Sequence, residues 1–201
     1  MSLYSGPLDE EDQDAILLDA RAGDIESLQE VFSIVIDPKS MVTCRDSSSK
    51  STALHYAAGN GHLEMTKYIL KLAKETTSEE KFKEFVDEKN ENGNTALHWA
   101  SLNGHLEVVK LLCDEYDADP FIKNKFDHDA IFEAENNGKE EVETYFLKKF
   151  DVEPLEDETV ISSKDIATVD NIGIKEGTEI ANMTNDATEA LREKTETLNI
   201  E

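Results

Sequence analysis

Nothing constrains the fold of this chain more than the block it writes twice: KSTALHYAAGNGHLEMTKYIL from Lys50 to Leu70, and GNTALHWASLNGHLEVVKLL from Gly93 to Leu112. Each copy reads as two short helices joined at a glycine. Two weaker copies flank them, DAILLDARAGDIESLQEVFSIV and HDAIFEAENNGKEEVETYFLKKF, so that Gly23, Gly61, Gly104 and Gly138 recur at spacings of 38, 43 and 34 residues. A period of this size means units that stack along one direction, each covering an apolar face its neighbour cannot bury alone.

One unit shows why. Thr95 is placed to cap the first helix, its hydroxyl accepting from a first-turn N–H that has no intrahelical partner. Ala96, Leu97 and Ala100 then share a face, and alanine there lets helices approach closely. Gly104 can adopt the left-handed backbone that ends the helix. In the second helix Leu106, Val108, Val109, Leu111 and Leu112 form an apolar face, with Glu107 and Lys110 left to solvent.

A spacing near 33 with T-P-L-H at the head of a helix pair is the mark of ankyrin repeats, and Thr52-Ala53-Leu54-His55 and Thr95-Ala96-Leu97-His98 resemble it. The expected fold is therefore all-α, an ankyrin-repeat solenoid of about four helix-turn-helix units with a flexible acidic C-terminal tail. Units are expected over about 13–45, 46–88, 89–123 and 124–150, after an acidic segment 1–12. Ala53, Ala96 and Ala130 stand where the family usually has proline, a small loss of a pre-set helix start. The first unit lacks the T-x-L-H head, and the fourth has Asp129 at the capping position and Phe132 in place of the histidine, as terminal repeats do. Between units two and three, Thr76 and Thr77 precede Glu79 and Glu80 by three residues and Phe82, Phe85 and Val86 follow at helical spacing, which predicts an extra helix near 79–86. Residues 151–201 turn acidic and lose periodicity. Within them Ile180, Met183, Ala187 and Leu191 share one face of a helix over about 179–198, either lightly docked or partner-binding.

Charge and chemistry narrow the function. The chain has 45 acidic against 20 basic residues, a formal charge of -25, which repels nucleic acid and anionic lipid and attracts basic proteins. Its two cysteines, Cys44 and Cys113, provide no disulfide framework, which suits a reducing compartment. No basic leader opens the sequence and no run approaches the ~18 apolar residues of a membrane span. His55 with His62, and His98 with His105, recur at seven-residue spacing, but in ankyrin repeats such rings bond the backbone of turns and neighbouring units. With no phosphate loop and no nucleophile motif, neither catalysis nor a metal or other cofactor is expected.

The resemblance implies partner binding on a concave side made by the loop tips and first helices. Carried over residue by residue, that surface comprises Asp46, Ser49 and Asn60 in the second unit, Asp87, Glu88, Glu91, Asn92 and Asn94 at the next tip, then Trp99, Leu102 and Asn103, and in the fourth unit Phe126, Glu133 and Asn136. Trp99 and Leu102 are expected as apolar anchors in a strongly negative field. From Asn94 to Pro154, and again at 177–180 and 187–193, the sequence resembles the fungal ankyrin-repeat proteins that escort a ribosomal protein. That resemblance implies a dedicated chaperone of a basic, KH-domain protein of the small ribosomal subunit, number three of its series. It further implies a monomer binding one client, in cytoplasm and nucleus, without direct contact with nucleic acid or membrane. A regulatory ankyrin scaffold that tethers or inhibits an enzyme or transcription factor is the alternative on the same fold.

Overall fold

The computed structural model describes residues 3–150, which lie within one compact unit, Met1–Pro154; the proposed tail helix over about 179–198 lies outside the described residues. Four helix pairs stack in order. The inner row is α1 (Glu10–Ala22), α3 (Ala53–Gly59), α6 (Ala96–Asn103) and α8 (Ala130–Asn136). The outer row is α2 (Ile25–Glu30), α4 (Leu63–Thr76), α7 (Leu106–Lys110) and α9 (Glu140–Phe150). α2 and α7 each run on into a π turn, at Val31–Val35 and Leu111–Glu115. Among the described residues no helix is long and apolar enough to cross a membrane.

The two rows pack by different means. Inner helices meet through Ala53, Ala57, Ala58, Ala96, Ala100, Ala130 and Ala134, all buried, whereas outer helices meet through Met65, Ile69, Leu70, Val108, Leu112 and Phe146. Small residues bring the inner axes closer together than the outer ones, so the stack bends toward the inner row. That bend makes the inner side the concave one.

Helix starts and stops follow the pattern of the repeats. Thr52 and Thr95 cap α3 and α6, accepting from the N–H of His55 and His98, and each histidine Nδ1 in turn accepts from the threonine N–H at 3.2 Å. Asp129 caps α8, accepting from Phe132 N–H at 2.8 Å. Gly104 closes α6 at φ 81°. The hairpin tips share a second left-handed position, occupied by Lys50, Gly93 and Asp127 in successive units; at Gly93 a side chain would meet the backbone of Lys125 within 2.9 Å.

The insertion forms α5 (Glu79–Val86), where Phe82, Phe85 and Val86 are buried. Its cap is Ser78, not Thr76 or Thr77. Those two hydroxyls donate back to the carbonyls of Leu72 and Ala73 and close the last turn of α4. At the other end, α1 begins at Glu10 with Asp9 as its cap, and Tyr4 exchanges backbone hydrogen bonds with Val35 and Asp37. The acidic N-terminal segment is thus partly built into the first unit.

Candidate functional site

The histidines lock one unit to the next. His55 Nε2 donates to the carbonyl of Asn94 at 2.9 Å and His98 Nε2 to that of His128 at 3.1 Å, so each inner helix holds the hairpin of the following unit. Nε2 faces an acceptor and Nδ1 faces an N–H donor, an arrangement that only the neutral ring with its proton on Nε2 satisfies. Burial drives His55 down to about 4 and lowers His98 as well. The second pair binds backward: His62 donates to Arg21 O and His105 to Gly59 O, both at 3.0 Å.

With the frame so fastened, several residues expected on the partner surface are committed to holding it. Asp46 accepts from Ser48 and Ser49 N–H at 3.0 and 2.6 Å and from the Tyr56 hydroxyl at 3.1 Å. The bonds from Ser49 and Ser48 hold its carboxyl well below the usual carboxylate range. Ser49 accepts Glu91 N–H on its carbonyl at 2.7 Å. Glu88 is gripped by the Arg45 guanidinium, and burial raises its carboxyl despite that cation. Asp87 pairs with Lys83 at 3.1 Å and accepts from Asp119 N–H. Asn94 takes the His55 bond on its backbone and the Asn124 amide on its side chain, and Asn103 donates to Gly59 O at 2.7 Å.

Glu133 departs furthest from expectation. It is buried, accepting from Asn124 Nδ2 at 3.1 Å and paired with His128 Nδ1 at 3.2 Å. Asp46, Asp87, Glu88 and Glu133 are thus each held by hydrogen-bond or ion-pair partners within the protein. Glu91, which remains outside, faces Lys125 at 3.3 Å. A further group of acids lies at the start of α1, where Glu10, Glu11 and Asp12 occupy the first turn.

What the inner side leaves open is amide and apolar. Asn60, Asn92 and Asn136 are exposed, as are Leu102 and Phe126, the latter at 66%. Trp99 is half-buried: its ring stands edge-on to His55 and Tyr56 at 5.6 and 5.7 Å and covers Gly59 so closely that a Cβ there would meet it at 2.9 Å. It is a wall of the groove more than a projecting anchor. The sequence reading missed Phe132, exposed at 40% and stacked on the His128 ring at 4.1 Å, which continues the apolar patch from Phe126 across the last unit. Its position was legible, being that of the histidine in the second and third units; among the described residues no further unit stacks on it.

Neither cysteine is poised for chemistry. Burial pushes Cys44 and Cys113 up to about 12, far from the thiolate form at neutral pH.

Comparison with known proteins agrees with this geometry. A family model described as ankyrin repeats matches residues 16–124 with three copies. The fourth pair, α8 and α9, lies beyond that match and keeps the same cap and turn. The chain is 62% identical over 200 residues to the ankyrin repeat-containing protein YAR1 of Saccharomyces cerevisiae, covering 100% of this chain and 98% of that relative. It is also similar to a chain in the crystal structure of the yeast ribosomal protein Rps3 in complex with its chaperone Yar1, at 67% identity and a TM-score of 0.72 over 74% of this chain and 99% of that one. On its capped helix pairs, its histidine ties between units and these matches, the chain belongs to the ankyrin-repeat family.

Proposed function

We propose that this protein is a dedicated chaperone of the small-subunit ribosomal protein Rps3, binding it one to one and keeping it soluble until it joins pre-ribosomal particles. The observation that carries this reading is identity at 62% along the whole chain to yeast YAR1, together with the likeness to a chain in the structure of yeast Rps3 with its chaperone Yar1. The role is one of binding, with no chemical step. It operates in cytoplasm and nucleus, where the client is made and where it is assembled.

The physical account divides into capture and grip. A formal charge of -25 draws a basic client from a distance, a pull that weakens with salt. Grip comes from the inner side of the last two units, where Leu102, Phe126 and Phe132 offer apolar contact beside Asn92 and Asn136. Glu91 supports a basic segment once Lys125 swings aside, an exposed pair being cheap to break. The test is aggregation of recombinant Rps3 followed by light scattering, with and without an equimolar amount of this protein. Suppression at one to one supports the reading; scattering that ignores the protein removes it.

A further inference from the structure

The inserted helix does more than lengthen a loop. Between α5 and the end of the outer helix of the third unit lies a cleft of about 620 Å³, walled by Phe82 and Tyr116 and rimmed by Glu79, Glu80, Glu115 and Asp117. The four acids are exposed. The two rings lie 5.9 Å apart, and Lys74 Nζ sits over both, at 5.9 Å from Phe82 and 5.8 Å from Tyr116. Lys83 is already engaged by Asp87 and by the Asp117 carboxylate and carbonyl. Aromatic faces and exposed carboxylates both select a cation, and one cation of the protein's own already occupies the place.

We propose that this outer-row cleft is a second docking site, taking an arginine or lysine side chain from a basic segment of the client that the inner side holds. It rests on the chaperone reading above. The client's cation displaces Lys74, which is exposed and swings to solvent, and takes its place over Phe82 and Tyr116 with its charge toward Glu80 and Glu115. Lys74 acts as a placeholder over the two rings. A partner held on both sides of the stack would leave more slowly than one held on the inner side alone.

The experiment is titration calorimetry of the full-length chain against recombinant yeast Rps3. Lys74→Ala should tighten binding about threefold, because the competing internal cation is gone. Lys71→Ala, the same change of charge one turn away on α4, should leave affinity unchanged. Glu80→Lys with Tyr116→Ala should weaken binding about tenfold, and Glu79→Lys with Glu115→Lys, which alters exposed positions only, covers the case in which loss of Tyr116 unfolds the stack. If Lys74→Ala and Lys71→Ala behave alike and both cleft pairs bind as wild type, the cleft is not a site, while a loss on Phe126→Ala would keep the inner surface and the chaperone reading standing. Failure of the wild-type chain to bind Rps3 would remove both.

Discussion

The third and fourth units are built on the same plan and end differently. In the third, His98 is buried and reaches forward to the next hairpin. In the fourth, the same position is Phe132, and its ring stands in water beside His128 and Phe126. An interior copy uses its inner helix to fasten its successor. The fourth copy has no successor among the described residues, and the position released from that duty carries an apolar group that a partner can use. The difference teaches that the stability of this stack and its adhesiveness reside in equivalent positions of different units.

The largest effect that could break this comparison is on stability. His98→Ala removes three buried hydrogen-bonding contacts and leaves a void, so it should cost about 3 kcal/mol in urea unfolding. Phe132→Ala should cost less than about 1 kcal/mol, since the ring is already exposed. Equal losses would mean that Phe132 is structural.

Acid should also loosen the interior units through their histidines. His55 is held neutral in the folded state at about 4, below its ordinary value of 6.5, so on acidification the unfolded chain takes up the proton first. Stability is whole above about pH 6.5 and falls as pH drops toward 4, by on the order of 3 kcal/mol from this ring, with His98 acting in the same direction. His55→Gln should flatten that part of the pH profile of the urea midpoint. A profile equally steep without the ring would assign the acid sensitivity to carboxylates such as Asp46.

A smaller difference separates two glycines. Gly61 and Gly138 both sit at positive φ, 75° and 63°, and alanine is strained at either. At Gly61 a Cβ would also press on the His105 ring at 2.6 Å, whereas at Gly138 nothing lies within 4 Å. Alanine should therefore cost about 2 kcal/mol at Gly61 and about 1 at Gly138, read from thermal midpoints.

The last of these effects concerns binding. Phe126→Ala should weaken the complex with Rps3 by about 1 to 2 kcal/mol without moving the thermal midpoint, and Trp99→Ala should lower stability as much as affinity. Calorimetry on both variants separates a partner contact from a groove wall.

How far the sequence reaches into this structure depends on how local each cause is. Thr95, His98 and Gly104 were legible because cap, lock and stop are set within a few residues and repeated at His55 and Gly61. The insertion showed itself through Phe82, Phe85 and Val86, yet its cap was misplaced, because Thr76 and Thr77 back-bond within α4, an outcome the pattern alone does not decide. The acids were read least well. A carboxylate on a tip looks the same in sequence whether it faces water or a partner in another unit. Glu88 is held by Arg45 from the preceding hairpin, and Glu133 by Asn124 and His128 from its own. Periodicity describes the face of one helix, and these acids are governed by contacts between elements.

The forward ties of the histidines have a temporal side. Asn94 lies 39 residues after His55 and His128 lies 30 after His98, so a chain leaving the ribosome N-terminus first exposes each ring well before its acceptor. The second and third units are each made in an unfinished state and are closed by the arrival of the one behind. A nascent chain halted before residue 128 would carry its third unit open, with a bare imidazole at the growing end.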